Sequence, residues 1–125
     1  HENSYKLIKD ACFISGLEKF KTDEVFHRPK IMLCYMLNYQ FKPSFIVDIS
    51  NFYEKKMQAC RAYKSQFYSM TDNSKNTYVN SKYFREMIVS RDKCYGLKIR
   101  ADYGEPFFIE EEIRVEDPIK FLNYL

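Results

Sequence analysis

The chain has 125 residues, 46% hydrophobic and 30% charged, the proportions of one folded domain, which excludes a disordered tail, a coiled coil and a collagen-like rod. Its longest unbroken apolar stretch, residues 31–37, is far shorter than the roughly 18 to 20 residues that cross a bilayer, and no leader pattern opens the sequence, so a cytoplasmic protein with no membrane partner is expected. A net charge of +3 from 20 basic and 17 acidic residues, mixed along the chain, supplies no concentrated basic stripe, and nucleic acid is not an expected partner.

Between residues 5 and 17 the apolar Leu7, Ile8, Ala11, Cys12 and Ile14 recur at three- and four-residue spacing, which predicts a short amphipathic helix with Gly16 as its stop signal. Residues 18–30 are polar and mixed, with Pro29 near their end, and read as a surface loop. Residues 31–37 are continuously apolar, as in a strand covered on both faces of an α/β sheet. The branched run Phe45-Ile46-Val47-Asp48-Ile49 predicts a second strand, with Ser50 as N-cap of the next helix. In that helix Tyr53, Met57, Cys60, Tyr63 and Phe67 form one face, and Glu54, Lys55, Lys56, Arg61 and Lys64 the other.

Residues 71–76 combine low hydrophobicity with no periodicity and are expected to form a mobile loop of the kind that covers sites. A third helix is predicted over residues 81–95, with Phe84, Met87, Ile88 and Cys94 on one side and Gly96 in the left-handed position past its end. Residues 98–103, 106–108 and 113–115 read as extended. The succession lacks the alternation that builds a whole doubly wound sheet and reads as part of one, residues 1–125 forming a single α/β unit. The absence of an initiator Met before His1 fits a back portion of a longer protein, whose isolated apolar faces and sheet edge favour self-association.

Few residues announce chemistry. There are two histidines, no Gly-rich phosphate loop, no Gly-x-Ser-x-Gly elbow and no His-Glu-x-x-His helix. Cys12, Cys34, Cys60 and Cys94 are widely spaced within apolar patterns and read as reduced, buried thiols. Glu110-Glu111-Glu112 reads as a charged, solvated strand end. His27 and Arg28, beside Pro29, stand where a loop enters a strand, a common position for binding groups in α/β proteins.

Several segments taken in order carry a family resemblance: Ala11-Cys12-Phe13-Ile14-Ser15-Gly16-Leu17, His27-Arg28-Pro29-Lys30, Pro43-Ser44-Phe45-Ile46-Val47-Asp48-Ile49-Ser50, Glu54-Lys55-Lys56-Met57-Gln58-Ala59 and Ala62-Tyr63-Lys64-Ser65-Gln66-Phe67. Together they resemble the LmbE-like (PIG-L) N-deacetylases. Tyr103-Gly104-Glu105-Pro106-Phe107 and Val115-Glu116-Asp117-Pro118 look like the ending of that family's bacillithiol subgroup. The resemblance implies the C-terminal portion of a Rossmann-like domain that uses Zn²⁺ to remove acetyl from N-acetylglucosamine conjugates, here N-acetyl-glucosaminyl malate, and that is a homo-oligomer at full length. In the family an early His-Pro-Asp-Asp motif supplies two zinc ligands and the general base, and the second His of a later His-x-x-His motif supplies the third ligand. Counted back from Gly16, His1 falls on that second His, whereas the His-Pro-Asp-Asp motif is not in this sequence, so the 125 residues alone are expected to be inactive. Two imidazoles and one carboxylate leave zinc open to water and the amide oxygen, which is what amide hydrolysis needs.

The resemblance also places Arg28 near the active site, where a guanidinium can steady an anionic intermediate or released acetate. A tyrosine that some members carry at the end of the loop over the metal falls here at Phe84, which leaves the neighbouring Tyr83 as the substrate-loop candidate. Three alternatives stand beside this reading: a deacetylase of another N-acetylglucosaminyl conjugate, a noncatalytic interaction module, and a thiol-binding protein using the four cysteines.

Overall fold

The computed structural model describes residues 3–63 and 77–122. The expected loop at residues 71–76, and with it Phe67 and His1, lies outside the described residues. Two compact units are present, one formed by the chain up to Cys34 together with the part from Ile109 onward, the other by Tyr35–Phe108.

In the first unit, helix α1 spans Ser4–Ser15. Its amphipathic spacing is as the sequence predicts, yet it buries no residue, and Leu7, Ile8 and Phe13 are more than half exposed. The chain closes the helix with Gly16 N–H donating to the Phe13 carbonyl (3.2 Å) and Leu17 N–H to that of Ile14 (2.9 Å). Residues 17–33 carry no helix or strand, as expected of a surface loop.

The apolar run over residues 31–37 does not form the continuous strand predicted for it. Only β1, Cys34–Tyr35, is extended and paired. Met36 is buried, whereas Ile31, Leu33, Tyr35 and Leu37 are largely exposed, so the run alternates and is covered on one side only. A continuous apolar pattern records hydrophobicity on both faces but not what covers each of them.

A short helix unanticipated from periodicity, α4, spans Pro118–Leu122. Its start is chemically plain: Asp117 Oδ1 accepts from the N–H groups of Ile119 (2.9 Å) and Lys120 (3.2 Å), with proline in the first helical position.

In the second unit, β2 (Phe45–Asp48) pairs antiparallel with β3 (Gly104–Phe108), in a register running from Phe45 opposite Phe107 to Asp48 opposite Gly104. The sheet order is β1-β3-β2, a small antiparallel sheet combined with helices and consistent with the α/β class. Phe45 and Phe107 stack across their pair, with ring centroids 5.6 Å apart.

Helix α2, Tyr53–Ala62, buries Met57 and half-buries Tyr53 and Cys60, while Tyr63 is mostly exposed. Ser50 does not cap it. A 3₁₀ turn over Ser50–Phe52 intervenes, and the Ser50 N–H and hydroxyl both donate to Asp48 Oδ1 (2.9 and 2.6 Å). Ser50 Oγ accepts in turn from the Tyr103 N–H (3.2 Å), so this serine ties the end of β2 to the approach of β3. The bonds from Ser50 hold the Asp48 carboxyl below its ordinary pKa.

Helix α3 spans Lys82–Lys98 and buries Phe84, Ile88, Asp92, Tyr95 and Gly96 against the sheet. Ser81 is its N-cap, with Oγ accepting from Phe84 N–H at 3.1 Å. Ser81→Ala is expected to cost about 1 kcal/mol, read as a lower urea midpoint at unchanged slope. Gly96 does not end the helix as predicted. It lies inside it, and the left-handed residue is Arg100 (φ 60°). The glycine is needed for space, because a Cβ there would lie 2.7 Å from the Ala101 carbonyl oxygen and 2.8 Å from Tyr103 Cα. The predicted extended segment over residues 98–103 is instead the helix end and this return, and residues 113–115 have no regular structure. Cys94, expected on the buried side, is exposed, because the buried stripe runs through Phe84, Ile88, Asp92 and Tyr95. Among the described residues no helix is long and apolar enough to cross a membrane.

A candidate anion-binding site

Arg28 is placed by the end of α1. His27 N–H donates to the Ser15 carbonyl (2.8 Å), which pins the loop back against the helix terminus and sets the following residue beside Gly16 and Phe13. The guanidinium carbon of Arg28 then lies 5.4 Å from the centre of the Phe13 ring, a cation–π distance. Both residues line a recess of about 350 Å³, within the range of small-ligand sites, whose walls include the cations Lys9 and Lys30 and the carboxylates Glu110 and Glu111.

Charge in this recess is unevenly committed. Lys9 Nζ donates to Glu110 Oε1 at 2.6 Å and the Tyr5 hydroxyl to Oε2 at 3.1 Å. The hydrogen bond from Lys9, then that from Tyr5, holds the Glu110 carboxyl below its usual pKa. This acidic residue past the end of β3 is exposed, as expected of a solvated strand end, and is tied to α1 within the first unit by these two bonds. Arg28, by contrast, has no carboxylate within ion-pair distance among the described residues. An unpaired guanidinium with five donors, in a recess, is suited to an incoming carboxylate or oxyanion.

Tyr83, the other described candidate, belongs to the second unit. It lies in the first turn of α3 with 76% of its surface exposed and no polar partner among the described residues. Its neighbour Phe84 is buried, in edge contact with Tyr78, so the position at which the resemblance looks for a tyrosine serves here as core.

Sequence reasoning missed a buried ionic cluster in the second unit. Lys56 Nζ lies 2.9 Å from Asp92 Oδ2 and 2.8 Å from Glu105 Oε1, joining α2, α3 and β3. Asp92 is fully buried, and Arg91 Nε stands 3.7 Å from its other oxygen. Burial raises the Asp92 pKa, and the hydrogen bond and charge of Lys56 pull it back. A signal for it is present: Asp92 continues the spacing of Phe84 and Ile88, so a carboxylate sits on an apolar stripe. The same cluster bears on Tyr53, whose ring stacks on Tyr103 at 3.5 Å and whose hydroxyl is buried without a hydrogen-bond partner among the described residues. Burial, then the charge of Asp92, pushes its pKa up to about 12. Tyr53→Phe is expected to leave stability unchanged or raise it by up to about 1 kcal/mol at neutral pH, because it removes an unsatisfied group. It should also abolish a stability loss that the parent protein shows as pH rises between the ordinary tyrosine value and about 12. Denaturant unfolding across that alkaline range checks both.

All four cysteines are free, and burial raises the pKa of Cys34 and of Cys60. Among the described residues no three His, Cys, Asp or Glu side chains gather to hold a metal ion. These residues alone do not form the zinc centre that the resemblance implies.

No protein-family model matches the sequence. Among solved structures, the crystal structure of the conserved protein TT1542 from Thermus thermophilus is similar over 89% of this chain, with 26% sequence identity and a TM-score of 0.73. The match covers 45% of that protein, so this chain spans less than half the length of the relative.

Proposed function

We propose that this chain is part of a cytoplasmic, homo-oligomeric, zinc-dependent N-deacetylase of the LmbE-like kind, with a Rossmann-like core, acting on N-acetyl-glucosaminyl malate. The observation that carries the reading is Arg28, an exposed guanidinium beside the Phe13 ring at the end of α1, with no carboxylate partner among the described residues. Amide hydrolysis passes through a tetrahedral oxyanion and releases acetate, and both are anions that a fixed guanidinium binds through short, charge-assisted hydrogen bonds. The ordered motifs from residue 11 to residue 118 support the same reading. His1 is the one zinc ligand assigned to this sequence, and the other two ligands and the base would come from the His-Pro-Asp-Asp motif, which it does not contain. Tyr83 is retained as a substrate-facing candidate because its side chain is exposed.

The test is acetate release by the natural-length protein from N-acetyl-glucosaminyl malate and from conjugates in which malate is replaced by a neutral aglycone. Turnover preferring the malate conjugate and falling roughly 100-fold in Arg28→Ala is expected, the size seen when one oxyanion donor is lost. Preference for another conjugate would keep the deacetylase and change its substrate. Acetate release from none of them would overturn the reading.

A further inference from the structure

Gly16 has φ −85°, a backbone conformation open to any residue, so helix termination does not explain a glycine here. Its neighbour does. A Cβ built on Gly16 would lie 2.5 Å from Arg28 Nε and 3.0 Å from both Arg28 Cβ and Cζ. The arginine side chain lies across the bare backbone of the helix end, with the Phe13 ring against its guanidinium and the His27–Ser15 hydrogen bond fixing the backbone one residue earlier. Two contacts from one helix terminus, with the loop pinned one residue earlier, therefore flank a side chain that is exposed, rich in rotamers and without a carboxylate partner among the described residues.

We propose that Gly16 and Phe13 are positioning residues for Arg28, holding its guanidinium ready for an anionic oxygen, so that rotamer freedom is given up on folding rather than on binding. The inference rests on the reading of Arg28 as the anion-binding group of the deacetylase. Preorganisation of this kind is worth most where the bound group is charged and its geometry narrow. Alanine at Gly16 is compatible with the backbone angle and favourable in a helix, and the atoms it would strike most closely belong to a flexible side chain. The fold should therefore survive while the guanidinium moves.

The experiment is a double-mutant cycle in the natural-length protein with N-acetyl-glucosaminyl malate as substrate, joined to ¹⁵N relaxation of the Arg28 Nε–H group, assigned by its loss in Arg28→Lys. Gly16→Ala is expected to lower kcat by roughly 10- to 100-fold, the effect of displacing a group by about 1 Å. The same change should cost nothing further in an Arg28→Ala background, and Arg28 Nε–H should become more mobile. Phe13→Leu should follow the same pattern with a smaller loss. Losses from Gly16→Ala and Arg28→Ala that multiply, or an Nε–H mobility unchanged by Gly16→Ala, would overturn the proposal and leave Gly16 as a helix-end residue. If Arg28→Ala itself left turnover intact, the catalytic reading of Arg28 would fail, while the relaxation measurement would still decide whether Gly16 restrains the side chain.

Discussion

Replacing Lys56 with methionine is expected to lower the unfolding free energy by about 3 to 5 kcal/mol at neutral pH, the cost of breaking a buried ion pair from one side. The ammonium bridges two carboxylates, at 2.9 Å from Asp92 and 2.8 Å from Glu105. Methionine fills similar space but leaves two negative groups facing one another, one of them fully buried, with Arg91 the remaining nearby cation at 3.7 Å. The pH dependence follows from the direction of the Asp92 shift. Its folded-state pKa is raised by burial, so between the ordinary carboxylate value and the raised one the folded state binds more protons than the unfolded. Stability therefore falls as pH rises through that window and returns as pH drops through it. Without Lys56 the Asp92 pKa rises further, so the deficit of Lys56→Met should narrow on mild acidification, and adding Asp92→Asn should restore much of it at neutral pH. Urea unfolding at neutral and mildly acidic pH measures both. A deficit under about 1 kcal/mol, the same at each pH, would put the cluster in the class of solvated surface pairs.

The second large effect is expected at Gly96, where alanine should destabilise the fold by about 2 to 3 kcal/mol even though alanine is the better helix former by about 1 kcal/mol. The added methyl would meet the Ala101 carbonyl at 2.7 Å and Tyr103 backbone atoms at 2.8 Å. These are main-chain atoms fixed by hydrogen bonds, including Ala101 N–H to the Gly96 carbonyl at 2.9 Å, so they cannot step aside as a side chain would. Gly104 faces the same contact from the other side, since its Cβ would lie 2.8 Å from Gly96 N and from Ile46 Cγ2. Gly104→Ala should cost a similar amount. Once either alanine has forced α3 and β3 apart, the second should cost less, so the pair should fall short of additivity. A thermal midpoint lowered by roughly 8 to 20 °C in each single variant is the expected reading. A rise in either midpoint would mean that helix propensity outweighs the close approach.

Legibility in the sequence follows the range of the physics involved. Local periodicity places α1 and the starts of α2 and α3 within a few residues, because the spacing of Leu7, Ile8 and Ala11, or of Phe84 and Ile88, needs no knowledge of partners. What depends on distant chain is misread. Ser50 looks like a cap until Asp48 and Tyr103 claim it, and Gly96 looks like a terminus until the return through Arg100 brings Tyr103 against it. The run at residues 31–37 announces apolar surface on both faces, while burial of Met36 and exposure of Leu33 and Tyr35 depend on what lies beside them. At the candidate site, Arg28 is singled out by its place in a motif. What lies beside it, a glycine backbone on one side and the Phe13 ring on another, is visible only in three dimensions.

Zinc content measured together with turnover of N-acetyl-glucosaminyl malate tests most directly the proposal that this chain contributes to a zinc-dependent deacetylase. The measurement belongs on the natural-length protein, as found and as His1→Ala. About one zinc per protomer with acetate release in the parent, both lost in His1→Ala, is the predicted result for a ligand of a catalytic site with three protein ligands. A parent protein that binds no zinc and releases no acetate, or one whose zinc and turnover are indifferent to His1→Ala, would contradict it.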